Sequence, residues 1–304
     1  VSDVAGNAAS QSSTTFVYDK TSPSISSITL SWGTVLNATE DNNNGTVTVA
    51  TSGVEDGQTV TLGLNSRTYT GSVSSNSVSI TISAARLQEL VDGTTYTLTA
   101  DVSDVAGNAA TQSSTTFTYD KSAPSISSIT PSWGSHLNAT EDNSSGTITV
   151  ATSGVEDGQT VTVGLNGTNY TGSISSNSVT MTISATDLQA LSEGTNTITA
   201  NVSDAAGNAA SQSSTTFTYD KTSPSITSIT PSWGSHLNAT EDNSSGTITV
   251  ATSGIEDGQT VTVGLNGTNY TGSINSNSVT VTIPAIDLQA LSEGTNTITA
   301  NVSD

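Results

Sequence analysis

Apolar and polar positions alternate along this chain in short, separate runs. Ile148 and Val150 alternate with Thr147 and Thr149; Val161, Val163 and Leu165 with Thr160 and Thr162; Val179, Met181 and Ile183 with Thr180 and Thr182. Ile198, Ala200 and Val202 alternate with Thr197 and Thr199, and Phe217 and Tyr219 with Thr216 and Thr218. A period of two places each apolar set on one face of a strand, and β-branched Thr suits the wet face. Asn166-Gly167 between two such runs predicts a hairpin, because both central positions of a type I′ turn need positive φ. The one helical signal lies at 185–191, where Leu188 and Leu191 are three apart and Gly194 can end the turn. With a leading strand around Ile226 and Ile229, the pattern predicts about seven short strands per unit. That count and spacing imply an all-β, seven-stranded antiparallel sandwich of the immunoglobulin kind.

The unit repeats. Val-Ser-Asp recurs at 1–3, 102–104, 202–204 and 302–304, with Trp-Gly in step at 32–33, 133–134 and 233–234, and Tyr-Asp-Lys at 18–20, 119–121 and 219–221. A period of about 100 residues is too long for a solenoid unit and suits an independent domain. Lys121-Ser-Ala-Pro124 and Lys221-Thr-Ser-Pro224 are short, and Pro stiffens them, so each reads as a joint rather than a tether. Boundaries placed there give complete repeats at 21–121 and 122–221. Residues 222–304 then form a repeat without its last strand, and residues 1–20 form the last strand of a preceding repeat. With no initiator Met and no signal pattern at Val1-Ser2-Asp3, the chain is expected to be a piece of a longer one.

Charge and composition narrow the partners. Five Lys+Arg against 26 Asp+Glu give a net charge of −21, so no cationic surface for nucleic acid or anionic lipid can be assembled. The absence of Cys removes disulfides, thiolate metal sites and cysteine nucleophiles. No apolar run approaches the ~20 residues of a membrane helix, so direct membrane insertion is not expected.

The acidic residues cluster in loops. In an antiparallel sandwich with strands A to G, the incoming linker, the B–C loop and the F–G loop share one pole. In the second repeat these carry Asp120, Glu156-Asp157-Gly158 and Asp204-Ala-Ala-Gly-Asn208, while Glu141-Asp142-Asn143, Asp187 and Glu193 lie at the other pole beside Asp220. Crowded carboxylates repel unless a counter-ion joins them. Oxygen donors without His or Cys are what Ca2+ selects. Solvated loop acids that confer solubility are the plainer alternative for any single residue. No contiguous calcium-loop motif is present, so such a site has to be assembled from separate loops.

Val-Ser-Asp-Ala-Ala-Gly-Asn-Ala-Ala (202–210), Thr-Phe-Thr-Tyr-Asp-Lys-Thr-Ser-Pro (216–224), Gly-Ile-Glu-Asp-Gly-Gln-Thr-Val-Thr-Val (254–263) and Asp-Leu-Gln-Ala-Leu-Ser-Glu-Gly-Thr (187–195) resemble the bacterial immunoglobulin-like extender repeats of giant RTX-type secreted adhesins. The resemblance covers the whole chain. It implies an extracellular protein at the bacterial surface: tandem sandwiches stiffened by Ca2+ near the linkers, projecting a distal ligand-binding region. Carried over by position, it implies linker ligands Asp19, Asp120 and Asp220; F–G ligands Asp104, Asp204 and Asp304; and B–C ligands Glu55, Asp56, Glu156, Asp157, Glu256 and Asp257.

Other functions fit less well. His136 and His236 have Val35 as their counterpart in the first repeat, and no Ser or Thr sits in a motif supplying a base and an oxyanion hole, so catalysis is not expected. A carbohydrate- or surface-binding module would use Trp32, Trp133 and Trp233 or the Thr-rich faces; one Trp per repeat reads better as a core plug, and the Thr rows as ordinary solvent-facing strand residues rather than an ice-binding plane. Asn-Ala-Thr at 37–39, 138–140 and 238–240 fits a glycosylation acceptor, a pattern common by chance. The partners expected are the neighbouring repeats of the same chain. Head-to-tail strand donation, in which residues 1–20 complete the third repeat of another copy, is a further expectation.

Overall fold

The computed structural model describes residues 1–303; Asp304, an expected F–G ligand, lies outside the described residues. The alternating runs of the first repeat become β1 (Ser24–Leu30), β2 (Val35–Leu36), β3 (Gly45–Ser52), β4 (Thr59–Leu64), β5 (Arg67–Ser72) and β6 (Ser77–Ile82). A one-turn helix, α1 (Ala84–Leu87), precedes β7 (Thr94–Asp101) and β8 (Ser113–Tyr119). One sheet has the order β1-β3-β6 and the other β2-β8-β7-β4-β5. Their inner faces bury Val47 and Val49 of β3, Val60 and Leu62 of β4, Leu98 and Ala100 of β7, and Phe117 and Tyr119 of β8. These are the apolar halves of the alternation, and the Thr halves face outward, as a period of two requires.

The expected seven antiparallel strands are joined by an eighth. β2 is two residues long and runs parallel to β8, with Val35 opposite Thr118 and Leu36 opposite Tyr119. Two residues are too few to show a period, so the sequence pattern carries no sign of it. The strand matters because it anchors the hairpin 37–41 beside the exit linker: the N–H of Asp120 donates to the carbonyl of Leu36 at 2.9 Å.

The same elements recur as β9 (Ser125–Pro131), β10 (His136–Asn138), β11 (Gly146–Ser153), β12 (Thr160–Leu165), β13 (Thr168–Ser173), β14 (Ser178–Ile183), α2 (Ala185–Gln189), β15 (Gly194–Asn201) and β16 (Ser213–Asp220). Then follow β17 (Ser225–Pro231), β18 (Gly246–Ser253), β19 (Thr260–Leu265), β20 (Thr268–Ser273), β21 (Ser278–Ile283), α3 (Ala285–Gln289) and β22 (Ile298–Asn301). The chain divides into two compact units: residues 1–130, 148–181 and 198–215 in one, and 131–147, 182–197 and 216–304 in the other. In the first unit β12 pairs antiparallel with β13 and with β15. In the second, β10 pairs parallel with β16, and three-stranded sheets run β17-β18-β21 and β20-β19-β22.

Two of the three Trp residues are core, as expected. Trp32 and Trp133 are buried, each edge-on to a Phe of the last strand, Phe117 and Phe217, with ring centroids 5.3 Å apart. Trp133 lies over Gly146, where a Cβ would fall 2.5 Å from the ring. Trp233, Leu237, Ile298 and Ala300 are only partly buried, whereas Trp32, Leu36, Leu98 and Ala100 are buried. No last strand covers the third repeat among the described residues. Residues 10–23 form no strand, and Phe16, Val17 and Tyr18, counterparts of buried Phe117 and Tyr119 and of Thr118 between them, are exposed.

Candidate functional site

The pole between the first and second repeats gathers three of the loops on which the sequence placed ligands. Asp120 follows β8 directly, and its Oδ1 accepts the N–H of Ser122 at 3.1 Å, so a local turn fixes the linker carboxylate. In the F–G loop, Asp204 Oδ1 accepts the Asn208 N–H at 2.8 Å and Oδ2 accepts Asn208 Nδ2 at 3.0 Å, closing the turn Asp204-Ala-Ala-Gly-Asn208. From the B–C loop, Glu156 Oε2 accepts the N–H of Ala205 at 2.8 Å, which brings its carboxylate to the same turn.

The electrostatics agree with that convergence. Desolvation raises the Asp120 carboxyl above its ordinary value against the N–H of Ser122, and the charges on Asp204, Asp92 and Glu156 push it further. At the first repeat's pole Asp104 moves the other way: the Asn108 side chain, with backbone N–H groups of its own turn, holds it below the ordinary range against desolvation.

The second B–C carboxylate goes elsewhere. Asp157 Oδ1 accepts the N–H of Ser176 at 2.7 Å, and Asp56 and Asp257 do the same with Ser75 and Ser276, each at 2.7 Å. These N–H groups belong to turns whose Ser and Asn residues have positive φ, so the aspartates cap strained backbone. The structure therefore sorts Glu-Asp in the first two B–C loops into a Glu facing the F–G turn and an Asp facing a different turn.

At the outer joints the picture is partial. Asp19 Oδ1 accepts the Thr21 N–H at 2.9 Å, Glu55 Oε2 accepts the Val105 N–H at 3.0 Å, and Asp19 and Glu55 line one cavity of about 370 Å3. Asp220 Oδ1 accepts the Thr222 N–H at 2.9 Å, and Asp220 and Glu256 line a cavity of about 540 Å3. Among the described residues no three His, Cys, Asp or Glu side chains are grouped closely enough to hold a metal by themselves. The donors fit Ca2+ in kind, all being oxygen, and a complete shell would need backbone carbonyls and water beside the carboxylates.

The contacts of several residues at the joints are not visible in the sequence. Asp92 accepts the Lys121 N–H at 2.8 Å and the Ser122 hydroxyl at 2.5 Å; Glu193 accepts the Lys221 N–H at 3.2 Å and the Thr222 hydroxyl at 2.7 Å. These hydroxyls hold both carboxyls below their ordinary values, with the linker N–H groups assisting. Each linker is thus clasped by the E–F loop of the repeat it leaves. Lys121 and Lys221 sit over the rings of Tyr119 and Tyr219, each 5.7 Å from the centroid. Buried Asp41 and Asp142, hidden in an apparently solvated Glu-Asp-Asn triplet, accept the Tyr119 and Tyr219 hydroxyls.

Residues 180–242 match the family model for bacterial Ig-like domains of group 3, across the end of one repeat and the start of the next. The chain is 25% identical, over 99% of its length and 79% of the other, to a structure described as a Ca2+-stabilized adhesin that helps an Antarctic bacterium reach out and bind ice, with a TM-score of 0.45. A second, from a 1.5-MDa bacterial ice-binding adhesin, shows 24% identity over 89% of this chain and 92% of that one, with a TM-score of 0.42. A single bacterial immunoglobulin-like domain from the M. primoryensis ice-binding adhesin is 30% identical over 31% of this chain and 95% of its own, with a TM-score of 0.25. No match is found among curated protein sequences. At these TM-scores the likenesses bear on neither ligand nor partner. The matched stretch recurs in near-identical sequence one period earlier in the chain, and its likeness is to bacterial Ig-like domains of group 3.

Proposed function

We propose that this chain is an extender segment of a bacterial surface adhesin, a run of non-catalytic repeats that holds a distal binding region away from the cell. Ca2+ stiffens its joints, with the linker Asp, the B–C Glu and the F–G Asp as ligands: Asp120, Glu156 and Asp204 at the joint of the first two repeats. The observation that carries this reading is the meeting of Asp120, Glu156 and the Asp204 turn at one joint, where burial first and the charges on Asp204, Asp92 and Glu156 after it raise the Asp120 carboxyl. A divalent cation would relieve that repulsion, and the flanking carbonyls supply further hard donors. At the outer joints the same roles fall to Asp19, Glu55 and Asp104, and to Asp220 and Glu256, with Asp304 completing the last set. Buried Trp32 and Trp133 weigh against a sugar platform built on them. No helix among the described residues is long and apolar enough to cross a membrane, and an extracellular location accords with the resemblance.

The same reading includes strand donation between copies. The exposed segment carrying Phe16 and Tyr18 repeats the sequence of β8 and β16 and matches the uncovered face of the third repeat. A clean monomer in sedimentation at high concentration counts against it.

Small-angle X-ray scattering in millimolar Ca2+, in excess chelator and in Mg2+ tests the extender. A largest dimension fixed only by Ca2+ and broadened by chelation supports it. Identical profiles in all three leave the acidic poles as solvated loops.

A further inference from the structure

Three copies of one hairpin differ in exposure. Asn37, Ala38 and Glu40 of the first repeat are half-buried, whereas Asn138, Ala139, Glu141 and their third-repeat counterparts are exposed. What covers the first hairpin is the turn Asp204–Asn208 of the next repeat. Asn37 Nδ2 donates to the carbonyl of Ala206 at 2.9 Å, and the N–H of Ala38 donates to Asn208 Oδ1 at 2.9 Å. The other end of the Asn208 amide donates to the carbonyl of Asp120 at 3.0 Å and to the Asp204 carboxylate at 3.0 Å. One side chain, 4% exposed, thereby ties the preceding hairpin, the linker and its own turn together.

The near-copies serve as controls. The turn at 104–108 makes the same internal bonds, with Asn108 Nδ2 2.8 Å from the Asp104 carboxylate and 3.3 Å from the Asp19 carbonyl; no hairpin lies against it among the described residues, and Asn108 is only half-buried. Gly107 and Gly207 share a φ near +90°, at 89° and 90°. A Cβ at Gly107 would meet nothing within 4 Å, whereas at Gly207 it would fall 3.3 Å from Asn37 Nδ2. At the second joint the hairpin 136–140 and residues 220–223 line the open cavity of about 540 Å3, with no turn over it among the described residues. Asn138 and Asp220 there occupy the positions that Asn37 and Asp120 hold at the filled joint.

We propose that the Asp-x-Ala-Gly-Asn turn is a plug, and the preceding repeat's Asn-Ala-Thr hairpin with its linker carbonyl a socket, forming a lock between repeats that needs no metal. Asn37 and Asn208 are its positioning residues. The cavity beside Asn138 is the same socket, and the occupant it fits is such a turn. The lock stands independently of the calcium reading, because none of its bonds runs through a cation.

The chain has no cysteine, so spin labels at Thr70→Cys and Thr171→Cys, both exposed positions, report the distance between the first two repeats without background. In excess chelator the otherwise unchanged chain gives one narrow distance distribution. Asn37→Asp keeps the oxygen that accepts the N–H groups of Thr39 and Glu40 but turns its donor to Ala206 into a second acceptor. It lowers the docked-to-free ratio about fivefold or more and broadens the distribution, with the melting of the first repeat unchanged. Asn208→Ala broadens it as well, and Asn138→Asp does not. A broad distribution for the unchanged chain in chelator, or one that Asn37→Asp leaves narrow, overturns the lock. Adding Ca2+ to the Asn37→Asp chain reads the other proposal separately: a distribution that stays broad counts against calcium stiffening and leaves the lock standing.

Discussion

The hydroxyl of Tyr219 donates to the buried carboxylate of Asp142 at 2.5 Å, joining the last strand of the second repeat to a hairpin 77 residues earlier. Burial first, and Asp142 second, push the Tyr219 hydroxyl pKa up to about 12, so it remains a donor across the physiological range. Tyr219→Phe leaves the carboxylate buried without this donor, at a cost of about 1–3 kcal/mol. Urea unfolding of the second repeat is the measurement. Tyr18→Phe, at a position 79% exposed, leaves the stability of the second repeat unchanged.

A second test concerns the Trp plug. Gly146 has no Cβ, and Trp133 occupies the space where one would stand, 2.5 Å from its ring. Gly146→Ala forces the ring or β11 to shift, at about 1–3 kcal/mol. Near-ultraviolet circular dichroism reports the ring's displacement, and an unchanged spectrum with unchanged stability would contradict the packing.

These two sites show what was legible in the sequence. The strands were, because Ile148 and Val150, or Val161 and Val163, repeat every second residue and each marks its own inner face. The Trp plugs were, because one large ring per repeat has few places to go. Asp142 was not: beside Glu141 and Asn143 it has the composition of a solvated loop, and only the last strand, folded over it, makes it core. The parallel strands β2 and β10 were too short to show a period. Loop composition brought Asp120, Glu156 and Asp204 to one pole, but it could not divide Glu156 from Asp157, since adjacent side chains diverge according to the turn they cap.

The first repeat's hairpin carries a local mismatch. Ser66 has φ 60°, where the second repeat has Gly167 at φ 77°. Left-handed backbone costs a non-glycine residue about 1–2 kcal/mol. Ser66→Gly raises the stability of the first repeat by about 1 kcal/mol, and Gly167→Ser lowers that of the second by a similar amount. Arg67 remains free to pair with exposed Glu89, at 2.9 Å, so the gain comes from the backbone alone. Thermal melting of each variant decides it.

The linker clasp makes stability depend on pH in a defined direction. The Thr222 hydroxyl, with the Lys221 N–H, holds the Glu193 carboxyl below its ordinary value against desolvation. A depressed carboxyl contributes stability above its unfolded value, about 4.3, and the contribution is lost as pH falls through the lower folded value. Carbon-detected carboxyl titration places the Glu193 midpoint below 4.3, and Thr222→Val, which removes the first cause, moves it upward. A midpoint unmoved by Thr222→Val refutes the clasp.

The sorting of the B–C pair yields the sharpest test of calcium binding. Glu156 and Asp157 are adjacent and carry the same charge, so a purely electrostatic attraction of Ca2+ to an acidic loop would treat them alike. Their geometry does not: Glu156 faces the Asp204 turn, and Asp157 holds Ser176. Glu156→Gln and Asp157→Asn each retain an acceptor oxygen for the N–H they bind, so both variants keep their loops in place while losing one charge. Calorimetric Ca2+ titration should show affinity at this joint falling roughly tenfold or more for Glu156→Gln, the loss of a first ligand charge. Asp157→Asn should change it by no more than the screened loss of a nearby charge and vanish into the difference between low and high salt. Equal losses would make the pole a diffuse counter-ion cloud, and the joint's order would then rest on the Asn37–Ala206 and Ala38–Asn208 bonds and the linker clasps alone.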